Sequence, residues 1–460
     1  MKRYKLRMTG LHYQKLQSHL FPGDGKEAVA LLLCGRRDGD ESHVLTVRDV
    51  ALIPHETCVI RTPDQVTWPT DVAEPLMQQA YGKRQAIVKI HSHTVDYALF
   101  SRTDNESDQA FLQSVCNVLD DGLAHASVIM LPDGTCFGRV VDDEGISGEI
   151  SLITVVDDDL RMWSPRAVAL PEAFTTRHAQ AFGQGTTALL RSLSAAVVGC
   201  SGTGSIVAEQ LARLGIGRLV LVDPDFVEEK NLNRIINSGK EDAYLSRPKV
   251  HVLASAIARM GLGQEVRPIH QNLASRQAVC AVAECDVVFG CMDGAEGRHL
   301  LNRLATFYCL PYFDVGIRLE ADGKGGVSTV AGAVHYIQPG RSSLFSRGVY
   351  DLEQIRAEEM RRTNPELYER HREEGYIHGV EEDRPAVISV NMFFASLALN
   401  DFLARIHPYR NQPNADFAMI AGNLSEVVLL SEPETKECDL LKRYVGRGDT
   451  DPLLDRPSLS

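Results

Sequence analysis

The chain has 460 residues, 44% of them hydrophobic, and a formal net charge of −13 at pH 7. That length exceeds what one hydrophobic core usually organises, and the negative balance with dispersed basic residues argues against nucleic acid as a partner. No apolar run reaches the ~18 residues that span a bilayer, and none follows the basic start MKRYKLRMTGLHYQ, so the sequence predicts a cytoplasmic protein with no membrane partner and ten reduced cysteines.

In chain order, the first informative stretch is AVALLLCG, an apolar run that reads as a buried strand, with Glu27 just before it. QAIVKIHSH reads as a second strand. Side chains two apart on a strand share a face, so His91 and His93 can face one ion while Ser92 points away. Asp104 is placed to add an oxygen ligand. Three protein ligands leave one tetrahedral position for a water that ionises near neutral pH, which amide hydrolysis requires. Glu27 then suits the task of handling its proton. Ser101 and Asp104 also form a capping pair ahead of the helical stretch NESDQAFLQSVCNVL, and both roles can hold at once.

The pattern of His91, His93, seven residues, Ser101, two residues and Asp104, with Glu27 upstream, resembles the JAMM motif of JAB/MPN metalloproteases. The resemblance implies a zinc isopeptidase with His91, His93 and Asp104 as ligands. It also implies that Glu27 is the general acid/base and that Ser101 assists the oxyanion.

TVVDDDLRMWSPRAVALPEAF, acidic and broken by prolines, is the expected boundary. The expected organisation is a first domain over residues 1–160, a linker and helix over 161–187, a second domain over 188–430 and a tail over 431–460. The fold class is α/β in both domains.

LSAAVVGCSGTGSIVAEQLARLGIGRLVLVDPD reads as buried strand, glycine turn, amphipathic helix and second strand. Gly199, Gly202 and Gly204 let backbone amides approach phosphates at the start of a helix expected near Ser205. Asp223 can bind ribose hydroxyls. Ser201 stands where a dinucleotide fingerprint wants glycine, and a dehydrogenase has no use for Asp225, Asn231, Arg234, Lys249 and Asp293 further on. An enzyme splitting ATP between its α and β phosphates needs cations on the pyrophosphate, which Arg234 and Lys249 suit, and a carboxylate for magnesium, which Asp293 suits.

The run VDPDFVEEKNLNR resembles the adenylation domain of the ThiF/MoeB and ubiquitin-activating superfamily. That implies a Rossmann-like doubly wound domain that uses ATP with magnesium to adenylate a protein C-terminus. It also implies a homodimer in which Arg177 enters the neighbouring subunit's ATP site, although an exposed helix arginine is the plainer reading. Many relatives hold a structural zinc with paired cysteines. Here the matching place reads PGRSSLFSRG with Ser343 and Ser346, so no second zinc is expected.

The charged stretch from Asp351 to Arg384 corresponds to the loop that carries a thioester cysteine in related enzymes, yet it contains none and reads as a solvated helix. Cys438, in the polar setting EPETKECDLLKRYVGRGD near Lys436, Lys442 and Arg443, is the expected alternative thiol. PAVISVNMFFASLALNDFLARI reads as a helix packed on the sheet, with Asn391 in the core, and NADFAMIAGNLSEVVLL reads as closing strands.

Together the two resemblances imply a protein that cleaves a ubiquitin-like or sulfur-carrier partner and adenylates its freed C-terminus, or that attaches and removes such a modifier. A conjugating enzyme is a further implied partner, and bacterial pathways of this kind include antiphage defence. Two alternatives stay open: processing and activation of a sulfur carrier for cofactor or cysteine synthesis, and a binding scaffold with an inactive site.

Overall fold

The computed structural model describes residues 2–165, 172–321, 324, 326–373 and 386–459. Two compact units divide them. The first holds the described part of 1–166 together with Phe307–Cys309 and Tyr444–Asp451, and the second holds the rest.

In the first unit, β1 (Arg3–Thr9), α1 (Gly10–Leu20), β2 (Val29–Asp38), β3 (Ser42–Leu52), β4 (Ile60–Arg61), β5 (Val66–Thr67), α2 (Glu74–Ala80) and β6 (Ala86–Ser92) lead to α3 (Arg102–Leu119). β7 (His125–Met130), β8 (Cys136–Asp142), β9 (Gly145–Val156) and β10 (Arg161–Trp163) complete it. The sheet order is β1-β3-β2-β6-β7-β8-β9-β10, and β1 also pairs with β9, which closes the sheet on itself. Side-chain alternation explains why β2 is apolar from Val29 to Cys34: Ala30, Leu32 and Cys34 enter one core with Leu16 and Leu20 of α1. Val29, Leu31 and Leu33 enter another with Leu76 of α2 and Phe111, Leu112 and Val115 of α3.

In the second unit, α4 (Thr176–Ser192) precedes β11 (Ser194–Val198), α5 (Gly202–Leu214), β12 (Arg218–Val222), α6 (Lys240–Tyr244), α7 (Lys249–Met260) and β13 (Glu265–Ile269). Then come α8 (Arg276–Ala283), β14 (Val287–Gly290), α9 (Ala295–Phe307), β15 (Tyr312–Ala321), β16 (Val327–Ile337), α10 (Leu352–Thr363), α11 (Pro365–Glu373), α12 (Ile388–Ile406), β17 (Met419–Asn423) and β18 (Val428–Glu432). The sheet runs β13-β12-β11-β14-β15-β16-β17-β18 and is parallel from β13 to β15. The remaining strands are antiparallel. Chain order reverses between β11 and β14, and a crevice for ligands opens at the carboxyl ends of strands at such a switch point.

Both units are α/β, as the sequence predicts. The glycine-turn helix begins at Gly202, three residues before the expected Ser205, because Ser201 already takes the N-cap position. Leu453 and Leu454 are buried in short turns. The boundary stretch holds β10, while its residues 166–171 lie outside the described residues, as does 374–384 of the charged stretch. Among the described residues no helix is long and apolar enough to cross a membrane.

Candidate active sites

β2 and β6 are antiparallel, with Val29 opposite His91, and Ser92 donates its backbone N–H to the Ala28 carbonyl at 3.0 Å. Continuing that register by two residues sets Glu27 opposite His93. On β6, Ile87 and His91 share the face covered by α3. α3 is started by a reciprocal cap: Ser101 Oγ accepts the Asp104 N–H at 3.1 Å, and Asp104 Oδ2 accepts the Ser101 N–H at 2.7 Å. The cap aims Asp104 at the histidines. Its Oδ1 lies 3.0 Å from His91 Nε2 and its Oδ2 lies 3.5 Å from His93 Nε2.

One ligand atom from each of His91, His93 and Asp104 lies within 4.8 Å of the others. Neither ring nitrogen of buried His91 makes a hydrogen bond of proper geometry, although Asp104 is close. His93 Nδ1 is held by the Tyr97 carbonyl at 2.8 Å, which leaves Nε2 turned toward Asp104. Converging lone pairs with an orphaned buried imidazole are what a tetrahedral cation site needs, so this set fits a zinc ion.

Electrostatics sort the four groups. Burial pushes the Glu27 carboxyl up to about 7 against the opposing pull of His93. Burial also lowers His91. Burial works against a charge on Asp104, but the close imidazoles of His91 and His93 and the hydrogen bond from Ser101 outweigh it and hold the carboxyl well below its usual range. A groove of about 930 Å³ between α2 and α3, walled by Trp68, Met77, Thr103, Glu106 and Phe111 among others, is lined by none of these four residues.

In the second unit the glycine turn lies at the switch point. Gly199, at φ +88°, leaves β11 with its N–H on the Val222 carbonyl, and a Cβ on Gly204 would stand 1.7 Å from the Gly199 carbonyl oxygen. No side chain caps the N-terminus of α5, so its first amides are open to an anion. Asp223 is buried and orients the turn, accepting the Cys200 N–H at 2.6 Å and the Asp225 N–H at 2.8 Å.

Lys249 Nζ pairs with Asp225 at 2.7 Å and stands 3.9 Å from Asp223. Asn231 is buried and caps its own short turn by accepting the Glu228 N–H. The Arg234 side chain lies against Gly202 and donates to the Lys230 carbonyl at 3.1 Å. Asp293 is exposed in the loop after β14, two residues beyond Cys291, whose N–H bonds the Val198 carbonyl.

One expectation changes and two gain detail. Cys438 is 3% exposed, with its N–H on the Arg341 carbonyl; the polar neighbours point outward while the thiol turns inward. Asn391 is buried, but its Nδ2 donates to Thr203 Oγ at 2.8 Å beside Gly202, so it belongs to the wall of the glycine turn. In the charged stretch, whose described residues are helical and mostly exposed as expected, Glu358 of α10 accepts the Ala295 and Glu296 N–H groups at 2.9 and 2.8 Å and so caps α9 next to Asp293. Arg177 is exposed on α4 and donates to Gln180 Oε1 at 3.2 Å. Ser343 and Ser346 bond each other's backbone N–H.

Comparison with known proteins fits this geometry. Residues 11–137 match the family of prokaryotic homologs of the JAB domain. Residues 175–438, more than half of the chain, match the ThiF family. The chain belongs to the ThiF family.

Among its relatives, the adenylyltransferase and sulfurtransferase MOCS3 of Danio rerio is 34% identical over 165 residues, 36% of this chain and 33% of that protein. The ubiquitin-like modifier-activating enzyme 5 of Drosophila persimilis is 28% identical over 169 residues, 34% of this chain and 41% of that protein. The matched stretches thus span less than half of either relative. A crystal structure of E. coli MccB with MccA-N7isoASN aligns with a TM-score of 0.46 at 18% identity, covering 59% of this chain and 75% of that one.

Proposed function

We propose that the chain carries two activities directed at one partner. The first unit is a zinc-dependent peptidase or isopeptidase acting at the C-terminus of a ubiquitin-like or sulfur-carrier protein. The second unit adenylates that C-terminus with ATP. The observation that carries the reading is the convergence of His91, His93 and Asp104 beneath Glu27, on a chain whose other unit has the glycine turn of an adenylating family.

His91, His93 and Asp104 would hold the zinc, which when bound supplies the Lewis acidity that polarises a carbonyl and activates water. Glu27 is poised near neutrality, so it can accept a proton from water and return it to the departing amine. The Ser101 hydroxyl oxygen already accepts the Asp104 N–H, which leaves its proton free for a developing oxyanion.

In the second unit the substrate carboxylate oxygen attacks the α-phosphorus of ATP, the bond to the β-phosphate bridge breaks, and pyrophosphate leaves. The open amides of α5, Arg234 and Lys249 hold the phosphates, Asp223 the ribose, and Asp293 the magnesium. Lys249 must exchange Asp225 for phosphate to do so. With no cysteine between Cys309 and Cys438, and Cys438 buried, the adenylate is handed to a nucleophile outside this chain. That favours direct transfer, either to a conjugating enzyme or to a sulfur donor.

ATP–pyrophosphate exchange with purified candidate ubiquitin-like proteins tests the second half. Exchange is expected for wild type and lost in Asp293→Ala, and its survival there would remove the assignment. Zinc content tests the first half: equal metal in wild type and His91→Ala excludes the ligand set.

A further inference from the structure

We infer that the buried charges Lys89, Asp108 and Arg139 are a positioning device that fixes how α3 presents Asp104 to His91 and His93; the inference rests on the zinc reading above. Adjacent strands build half of it. Lys89 on β6 is in register with Ser127 on β7, and Ser127 with Arg139 on β8, so the three form one row across the sheet. All three are buried. Lys89 lies two residues before His91, so the row faces α3 as the histidine does.

Asp108, fully buried and one helical turn after Asp104, receives both cations. Lys89 Nζ lies 2.5 Å from Oδ1, while Arg139 reaches Oδ2 through Nε at 3.0 Å and Nη2 at 2.5 Å. The same two side chains grip the flanking residues. Lys89 donates to Ser107 Oγ at 3.2 Å, Arg139 donates to Asn105 Oδ1, and the Arg139 guanidinium stacks 3.8 Å over the Phe100 ring. Residues 100, 105, 107 and 108 are thereby fixed on both sides of Ser101 and Asp104.

Apolar side chains of similar volume would hold a helix against a sheet at least as well, because desolvating three charges is costly. What a charged network adds is a single geometry. Groups one shell out from a metal orient its ligands, and their loss typically weakens metal binding by about 10–100-fold.

The test uses the full chain, with the zinc dissociation constant from competition against a chromophoric chelator and the visible spectrum of the cobalt-substituted protein. Asp108→Asn and Arg139→Met are expected to weaken zinc binding by about 10–100-fold and to alter the cobalt bands, with Arg139→Lys in between. Exchange activity of the second unit should be unchanged. Variants that only melt earlier, with wild-type zinc affinity and cobalt bands, overturn the inference and leave the zinc reading standing. A wild type that takes neither zinc nor cobalt overturns both. If Asp108→Asn does not fold, the two Arg139 variants decide.

Discussion

The two sites are built in opposite ways. In the first unit, side chains do the work: strand register and a helix cap bring His91, His93, Asp104 and Glu27 together, and the surrounding charges are already paired. In the second unit the backbone would do it, since the glycine turn and the uncapped start of α5 form the proposed phosphate cradle, while Lys249 and Arg234 are engaged elsewhere. A preformed ligand set loses function when one atom is removed. A cradle that must re-pair its cations on binding loses function when its shape is filled.

The sharpest way to break this comparison is at Glu27. Glu27→Gln keeps size and the proposed zinc ligands but removes the proposed proton acceptor, so hydrolysis of a ubiquitin-like fusion should fall by about 10²–10⁴-fold with zinc content unchanged. A cleavage rate within a factor of two of wild type would remove Glu27 from the mechanism. In the second unit the matching change is steric. Gly204→Ala must displace the Gly199 carbonyl from 1.7 Å, and a shift on that scale should cost about 100-fold or more in exchange, with zinc binding intact. Normal exchange in that variant would show that the turn tolerates a side chain and is not the phosphate cradle.

How far these sites could be read from sequence follows the same division. The His91–His93 spacing and the Ser101–Asp104 cap are local, so strand and helix periodicity reveal them, and so is the glycine turn. Lys89, Asp108 and Arg139 escaped notice because the network joins β6, α3 and β8 through a register that no local pattern encodes. The sequence carries two marks of it: a lone lysine in the apolar strand AIVKIHS and an arginine in CFGRVV. Asn391 is buried as expected, but its hydrogen bond is hidden for the same reason, since its partner Thr203 lies 188 residues away. The segments Phe307–Cys309 and Tyr444–Asp451 join the first unit by contacts equally remote in sequence.

Acid sharpens the comparison by a smaller amount. Burial lowers His12 in the first unit to about 4, and in the second unit lowers His299 to about 4 and His335 to about 3. Each folded value is below the ordinary 6.5, so below that pH the unfolded chain binds protons that the folded chain refuses. Stability is therefore full above about pH 6.5 and declines as pH falls toward 4, by up to about 1.4 kcal/mol per pH unit per histidine. Thermal unfolding followed from pH 7 to 4 should show this slope, and His335→Gln should reduce it by one proton in the second unit's transition. An unchanged slope would mean that His335 charges freely in the folded state.

The smallest effect is expected at Cys438, and it separates a thioester route from direct hand-off. The thiol is buried and its backbone is tied to Arg341, so an acyl group cannot reach it without opening that turn. Cys438→Ala should cost about 1 kcal/mol of stability through lost packing and leave both exchange and transfer to an external thiol at wild-type rates. Intact-mass measurement after incubation with ATP and a ubiquitin-like partner should show no thiol-labile adduct on the wild-type chain. An adduct that disappears in Cys438→Ala would mean that the segment opens during turnover, and it would replace direct hand-off by a covalent relay within the second unit.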